Sequence, residues 1–162
     1  MPHNQSLLAD AVAESLSGHR CVSAWLGYGN ALFLGFGADP AHPRTPDGGQ
    51  AVPPFELQTS MADWRVGAVS CDDARELAER AVEELIGRPV VGWQLEGGRA
   101  LTVQFAGGRT LEVRPPEEPV LDLDEWWFCL PGSRFVGVRG TGEVVSGDSG
   151  YDADRDGSSH SL

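Results

Sequence analysis

Apolar and polar residues follow two periods along this chain, one typical of helices and the other of strands. Over Asp72–Leu85 apolar side chains recur every three or four residues, the spacing of an amphipathic helix that ends at Gly87 and Pro89. Apolar and polar residues then alternate through three short segments, 90–95, 100–105 and 110–113, with glycine pairs at the turns between them. The pattern in this half of the chain therefore predicts a helix followed by an antiparallel meander with one solvent-exposed face.

The first half of the chain repeats this pattern. Residues 5–37 align with residues 74–106 without a gap, at a constant offset of 69, and 11 of the 33 aligned positions are identical. A period of this length corresponds to a whole supersecondary unit. The sequence therefore predicts an internal duplication in which Gly18 and Gly87 are equivalent helix C-terminal residues with positive φ.

The repeat predicts an α+β fold built from a tandem duplication of a helix followed by an antiparallel β-meander. We expect a pseudo-twofold axis and one sheet-rich domain, sandwiched or barrel-like, because one-faced strands need a partner face. Residues 1–69 form the first repeat unit, 70–145 the second, and 146–162 a disordered acidic tail. Further strands are predicted at 55–59, 64–69, 125–130, 135–139 and 143–145. The expected core contains Leu32, Leu34, Phe36, Trp93, Leu101, Val103 and Phe105.

The two units differ most in the connection after their second strand. In the second unit this connection is a glycine pair, Gly107–Gly108, whereas in the first it runs from Ala38 to Pro54 through five prolines. A long insertion in a compact repeat is either functional or simply mobile, and the sequence leaves both interpretations open.

Composition adds limits on location and partners. The formal net charge is −12, with 24 acidic and 12 basic residues, and such a surface repels phosphate backbones. We therefore expect no nucleic acid as a partner and regard a basic protein as a suitable one. The three cysteines are odd in number and lack metal-site spacing, and no segment resembles a signal peptide or a membrane span. These features favour a cytoplasmic protein without a metal or cofactor.

Three short motifs resemble functional sequences but lack the context that the chemistry needs. Gly147–Gly150 copies a serine-protease signature, yet it lies in a polar tail and Tyr151 follows it, whereas the chemistry needs a histidine base and a buried aspartate in a double barrel. Asp152–Gly157 begins like a calcium loop without its closing glutamate, and Gly27–Gly29 lacks the third glycine of a dinucleotide fingerprint. The sequence thus predicts no catalytic residue and no metal ligand, and it leaves enzymatic activity uncertain, with a non-enzymatic role favoured.

Aromatic residues distinguish the first unit from the second. Where the second unit presents Gln94 and Thr102 on its outer face, the first presents Trp25 and Phe33. Clustered aromatic residues are typical of the centre of protein interfaces. The sequence therefore predicts a partner-binding face in the first unit, and the alternative is that this face is covered inside the protein. The candidate residues are Trp25, Tyr28, Phe33, Met61 and Trp64.

Several short sequence elements resemble those of an uncharacterised family of small bacterial proteins with an internally duplicated helix-plus-meander unit. The matching elements are Leu16-x-Gly18, the run Gly27-x-Gly29 to Gly37, Phe55-x-Leu57 with Asp63–Val66, Leu85-x-Gly87, Phe105-x-x-Gly108, and Trp126 with Pro131–Gly132. This resemblance implies no activity and no functional residue. In size and duplication its members are similar to bacterial immunity proteins, which is an analogy of form.

Charge, motifs and the aromatic face together favour a non-catalytic protein-binding protein, in the style of an immunity protein or antitoxin. The alternative is a small-molecule-binding or accessory protein of a biosynthetic pathway that uses the crevice between the repeats. Neither hypothesis assigns a membrane partner, and both leave the oligomeric state open.

Overall fold

The computed structural model describes residues 2–37 and 53–148. These residues form two helices and eleven strands. In chain order they are α1 (Pro2–Leu16), β1 (Arg20–Leu26), β2 (Leu32–Gly37), β3 (Phe55–Thr59), β4 (Asp63–Val66), β5 (Val69–Ser70), α2 (Arg75–Glu83), β6 (Val90–Glu96), β7 (Ala100–Phe105), β8 (Arg109–Arg114), β9 (Asp124–Leu130), β10 (Arg134–Arg139) and β11 (Val144–Asp148).

The strands form two antiparallel sheets. The first contains six strands in the order β1-β2-β3-β9-β10-β11, and the second contains five in the order β5-β4-β8-β7-β6. This arrangement confirms the sheet-rich α+β class. Neither sheet closes on itself, so the barrel-like alternative does not describe the fold.

Each three-strand meander receives its fourth strand from the other half of the chain. Strand β4 follows β3 but pairs with β8 of the second meander, and β9 follows β8 but pairs with β3 of the first. The exchange pairs the edge of each meander that its third strand would leave open, β3 in the first and β8 in the second, which removes exposed backbone donors and acceptors there. The two halves of the chain are consequently interlocked through this strand exchange.

A single hydrophobic core lies between the sheets and the buried sides of the helices. Six of the seven expected core residues are buried, and Trp93 is partly buried against them. Helix α1 packs on β9, β10 and β11, and α2 packs on β1 and β5. The helical residues that enter the core are Leu8, Ala11, Val12, Leu16, Ala78 and Val82.

The first hairpins of the two halves have the same register at an offset of 69. Five pairings, from Cys21 with Phe36 to Leu26 with Leu32, recur at this offset between β6 and β7. Both hairpins also have a register shift at the same place, immediately after Cys21 in β1 and after Val90 in β6. A β-bulge can occur at many positions along a strand pair, so its equivalent position in both hairpins supports the correspondence between them.

Reciprocal backbone hydrogen bonds join the two halves at the start of β1 and β6. The amide of Cys21 donates to Arg88 O at 3.1 Å, and the amide of Val90 donates to His19 O at 2.9 Å. The donors are 69 residues apart and so are the acceptors, so each bond is the image of the other. The residues between them form an isolated antiparallel bridge.

Two buried tryptophans make equivalent hydrogen bonds to the first hairpin turn of their own half. The Nε1–H of Trp64 in β4 donates to Asn30 O at 2.8 Å, and that of Trp126 in β9 donates to Arg99 O at 2.9 Å. The acceptors are again 69 residues apart. Each exchanged strand therefore contacts its own half through an indole and through backbone pairing with the next strand, while its other edge pairs with the other half.

A glycine in the left-handed region follows each helix, Gly18 two residues after the end of α1 and Gly87 four residues after the end of α2, so α2 does not extend to Gly87 as the sequence predicts. Gly18 has a φ of +75° and Gly87 a φ of +89°, which confirms the prediction of positive φ at these two positions. Helix α2 is shorter than the helical pattern over 72–85. The strand expected at 64–69 is instead a hairpin, because Gly67 reverses the chain between β4 and β5.

The boundary of the expected tail needs a correction. Ser146–Asp148 complete β11 and pair with Arg134–Val136 of β10, so this part of the segment is ordered in the sheet. The remaining tail residues, 149–162, lie outside the described residues, and so does the calcium-like motif. Most of the proline-rich connection, residues 38–52, also lies outside them.

Candidate binding surface

Strand exchange produces a row of side chains across the outer face of the six-stranded sheet. Trp25 in β1 pairs with Phe33 in β2, Phe33 with Gln58 in β3, and Gln58 with Trp127 in β9. Paired residues point to the same face of an antiparallel sheet, so the row contains three aromatic side chains and one amide.

The rings of Trp25 and Phe33 form a stacked pair. Their centroids are 4.0 Å apart and their planes differ by 6°. Trp25 is nevertheless 51% exposed, whereas Phe33 is half-buried beneath it. Gly27 allows this packing, because a Cβ at that position would lie 2.8 Å from Cε1 of Phe33. The stack therefore holds a large aromatic ring at the surface in one orientation.

The turn between β1 and β2 carries Tyr28, whose side chain is fully exposed. Arg75, the first residue of α2, holds this turn from below. Its guanidinium donates to Leu26 O at 2.8 Å, to Gly27 O at 2.9 Å and to Asn30 Oδ1 at 3.1 Å. A residue of the second half thus positions the exposed turn of the first half.

An open concavity of about 640 Å³ lies at this face of the sheet and is lined by ten residues. We refer to Trp25, Tyr28, Phe33, Met61 and Trp127 as the aromatic surface. The other lining residues are Gly27, Gly29, Ala31, Thr59 and Ser60, and none of the ten carries a formal charge. The concavity is therefore apolar with a few hydroxyl groups, which is the composition of a recognition site.

Four of the five sequence candidates belong to this surface, and Trp64 does not. Trp64 is 2% exposed and faces the core, where it pairs with Val113 of β8. The alternation of exposed Asp63 and Arg65 around it is the sequence signal for that inward orientation. Trp127 takes its place at the surface, and sequence reasoning missed it because β9 belongs to the other half of the chain.

The equivalent face of the five-stranded sheet is polar. Gln94 of β6 pairs with Thr102, Thr102 with Glu112, and Glu112 with Arg65 of β4. This row has the same construction as the aromatic row, including a fourth residue that comes from an exchanged strand. The second sheet therefore contains a polar row with the same order of strand pairings as the aromatic row.

A carboxylate lies beside the aromatic row on the same face. Glu56 is two residues before Gln58 in β3, and Gln58 Nε2 donates to Glu56 Oε1 at 2.8 Å. Burial raises the pKa of Glu56, and the hydrogen bond from Gln58 offsets part of this rise. Cys129 pairs with Glu56 across the strands, and burial followed by the charge of Glu56 raises the pKa of its thiol.

Two of the described cysteines are poor nucleophiles, and the described residues contain no cluster of metal ligands. Burial raises the pKa of the Cys21 thiol to about 12, and burial also raises the pKa of Cys71. These thiols are therefore protonated at neutral pH and are poor nucleophiles. Within 2–37 and 53–148 no three His, Cys, Asp or Glu side chains lie close enough together to hold a metal ion.

A second polar cluster is buried at the turn between β6 and β7. Glu125 is fully buried and accepts from Arg99 Nη2 at 2.9 Å, and the same nitrogen donates to Gly140 O at 3.0 Å. Burial raises the pKa of Glu125, while the charge of Arg99 and its hydrogen bond lower it in part. This pair attaches the turn to β9 and to Gly140, the residue after β10, so its role in the described structure is structural.

Comparison with protein-family models, curated proteins and solved structures finds no match to this chain. In the part of the chain that the structure describes, neither helix is long and apolar enough to cross a membrane. The geometry of the aromatic surface is therefore the main basis for a functional proposal.

Replacing Arg75 with alanine should loosen the Tyr28 turn. The change removes three hydrogen bonds to the turn, and we expect a loss of about 1 kcal/mol in the free energy of unfolding together with faster amide exchange at Gly27 and Ala31. The matched control is Glu79→Ala, which removes only the exposed partner of Arg75 at 3.0 Å and should cost less than about 0.5 kcal/mol. Equal effects of the two changes would contradict the positioning role.

Glu56 should make the protein less stable as the pH rises. Because its pKa is raised in the folded state, its favourable contribution is complete below the pKa of the unfolded chain and is lost as the pH rises through the folded pKa. Glu56→Gln should therefore increase the free energy of unfolding at pH 7 and have little effect near pH 4. Urea unfolding at both pH values measures this difference, with the exposed Glu117→Gln as the control. If Glu56→Gln lowered the free energy of unfolding at pH 7, the conclusion that burial raises the pKa of Glu56 would be disproved.

Proposed function

We propose that this chain is a non-catalytic protein-binding protein whose aromatic surface contacts the partner. The observation that carries this proposal is the Trp25–Phe33 stack, which keeps an indole 51% exposed, whereas the corresponding pair in the second sheet, Gln94 and Thr102, is polar. Exposed, ordered aromatic side chains are characteristic of interface centres. An immunity-like or antitoxin-like role in the cytoplasm is the finer form of the proposal.

The charge of the chain favours a basic partner. With a net charge of −12, the protein attracts basic proteins over long distances and repels nucleic acid. Electrostatic complementarity mainly increases the rate of association and the selectivity for a partner. The uncharged concavity would then supply the apolar contact area, so the two features have complementary roles.

We also propose that the chain arose by tandem duplication and that the aromatic surface was acquired by one copy. Three observations support this proposal: the hairpin registers repeated at an offset of 69, the reciprocal bonds between β1 and β6, and the paired indole bonds of Trp64 and Trp126. Under this proposal the polar row of the second sheet represents the surface that the fold has without an acquired binding site.

A small-molecule or accessory role is the second candidate, and it uses the same place. Nine of the ten residues that line the concavity belong to the first unit, and Trp127 comes from the second. Its volume of about 640 Å³ falls within the usual range of ligand sites. Its open shape, with Tyr28 fully exposed, favours a protein partner over an enclosed ligand.

Site-specific photo-crosslinking in the source organism tests the protein-binding proposal. A photoreactive phenylalanine analogue at Tyr28 should give one specific crosslinked protein, whereas the same analogue at Gln94 in the polar row of the second sheet should not. The double substitution Trp25→Gln and Phe33→Thr, which copies the polar row, should abolish the crosslink from position 28. The matched control Gln94→Ala and Thr102→Ala should leave it unchanged.

Circular dichroism of the purified double variant is needed alongside the crosslinking. We expect a native spectrum, because Trp25 is half-exposed and the polar row is compatible with the same strands. Loss of each side chain from a true core would cost about 3 kcal/mol or more, enough to unfold a marginally stable domain. An unfolded double variant, or a crosslink that survives in a folded one, would disprove the proposed binding surface.

A further inference from the structure

We propose that the partner places an arginine side chain on the free face of the Trp25 indole. This inference rests on the proposed function, because it specifies the chemistry of the group that the aromatic surface receives. It concerns one residue of a basic protein segment, and it excludes an acidic segment or a second copy of this chain as the occupant.

The geometry leaves one face of the indole available. Phe33 covers the other face at a centroid distance of 4.0 Å with nearly parallel planes, and Trp25 remains 51% exposed. The stack also restricts the indole in the free protein, so little side-chain entropy is lost when a second planar group binds. A planar guanidinium can complete a three-layer stack on such a ring.

The electrostatics of the surface favour a cation at this position. The faces of aromatic rings carry negative potential, and tryptophan attracts cations more strongly than the other aromatic residues. The ten lining residues contain no basic side chain that would compete, and Glu56 lies in the next row of the same face. The overall charge of −12 is negative, as is the charge of Glu56, and it also favours a cation.

Hydrogen-bonding groups near the indole suit arginine better than lysine. The hydroxyl oxygens of Tyr28 and Ser60 line the same concavity and are exposed, so they can accept from a guanidinium. A guanidinium presents five N–H donors in one plane, which allows it to stack and donate at the same time. Two copies of this chain would instead bring together two molecules of the same charge, −12 each.

Indole NMR with short peptides tests this inference directly. The probes are acetyl-Gly-Arg-Gly-amide and its counterpart with citrulline, which keeps the planar shape of arginine and removes its charge. The full-length protein contains five tryptophans, and its Trp25 Nε1–H resonance is identified by its absence in Trp25→Gln. Titration at 0.15 M and 0.5 M salt separates local stacking from long-range attraction, because long-range attraction is screened.

We expect the arginine peptide to shift the Trp25 resonance saturably at both salt concentrations. The citrulline peptide should bind at least about fivefold more weakly. The Gln94→Ala and Thr102→Ala variant should bind like the native protein. In the native protein the arginine peptide should also shift the resonance of Trp127, which lines the same concavity, and Trp25→Gln with Phe33→Thr should lose this Trp127 shift. Retention of that shift would count against the inference.

Three other results would overturn the inference. Equal affinity for the two peptides would indicate a neutral planar occupant, and tighter binding of acetyl-Gly-Leu-Gly-amide would indicate an apolar one. Absence of any Trp25 shift with the arginine peptide would exclude the arginine position. In each case the Tyr28 crosslink is an independent readout, so a crosslink that persists in the native protein shows that only the arginine inference has failed.

Discussion

The rest of the structure depends on one constraint. Each three-strand meander must find a partner for its third strand, β3 or β8, and cover its apolar face. The chain meets this requirement by exchange: β4 of the first half completes the second sheet, and β9 of the second half completes the first. The indole bonds of Trp64 and Trp126 attach each exchanged strand to the hairpin turn of its own half. Each exchanged strand pairs by backbone with the other half on one edge and with its own half on the other edge, so the two halves are interdependent.

The candidate site is a consequence of this exchange. Its row of side chains begins in β1 and ends in β9, so Trp127 reaches the concavity only because the second half supplies that strand. Arg75 of α2 in turn holds the Tyr28 turn through three hydrogen bonds. The second half thus completes and positions a surface whose aromatic stack belongs to the first half. Its own outer row remains polar, with Gln94, Thr102 and Glu112 in the corresponding places.

Local patterns predicted much of the fold, whereas long-range pairing was beyond them. Alternation and glycine pairs gave the hairpins, and the offset of 69 anticipated their shared register. Strand exchange could not be read in this way, because pairing of β4 with β8 joins segments about 50 residues apart and leaves no periodic signal. The same limit explains why Trp127 was missed, and Trp64 was misplaced although its polar neighbours Asp63 and Arg65 indicate an inward side chain.

Separate expression of residues 1–72 and 73–162 tests the interlocked architecture most directly. Each half lacks the strand that completes its meander. We therefore expect that neither half folds as a monomer, as measured by hydrodynamic size and near-ultraviolet circular dichroism. Mixing the halves should restore a 1:1 complex with the spectrum of the intact chain, because β4 and β9 then find their partners. A cooperatively folded monomer of either half alone would contradict the account, since a self-sufficient half needs no exchanged strand.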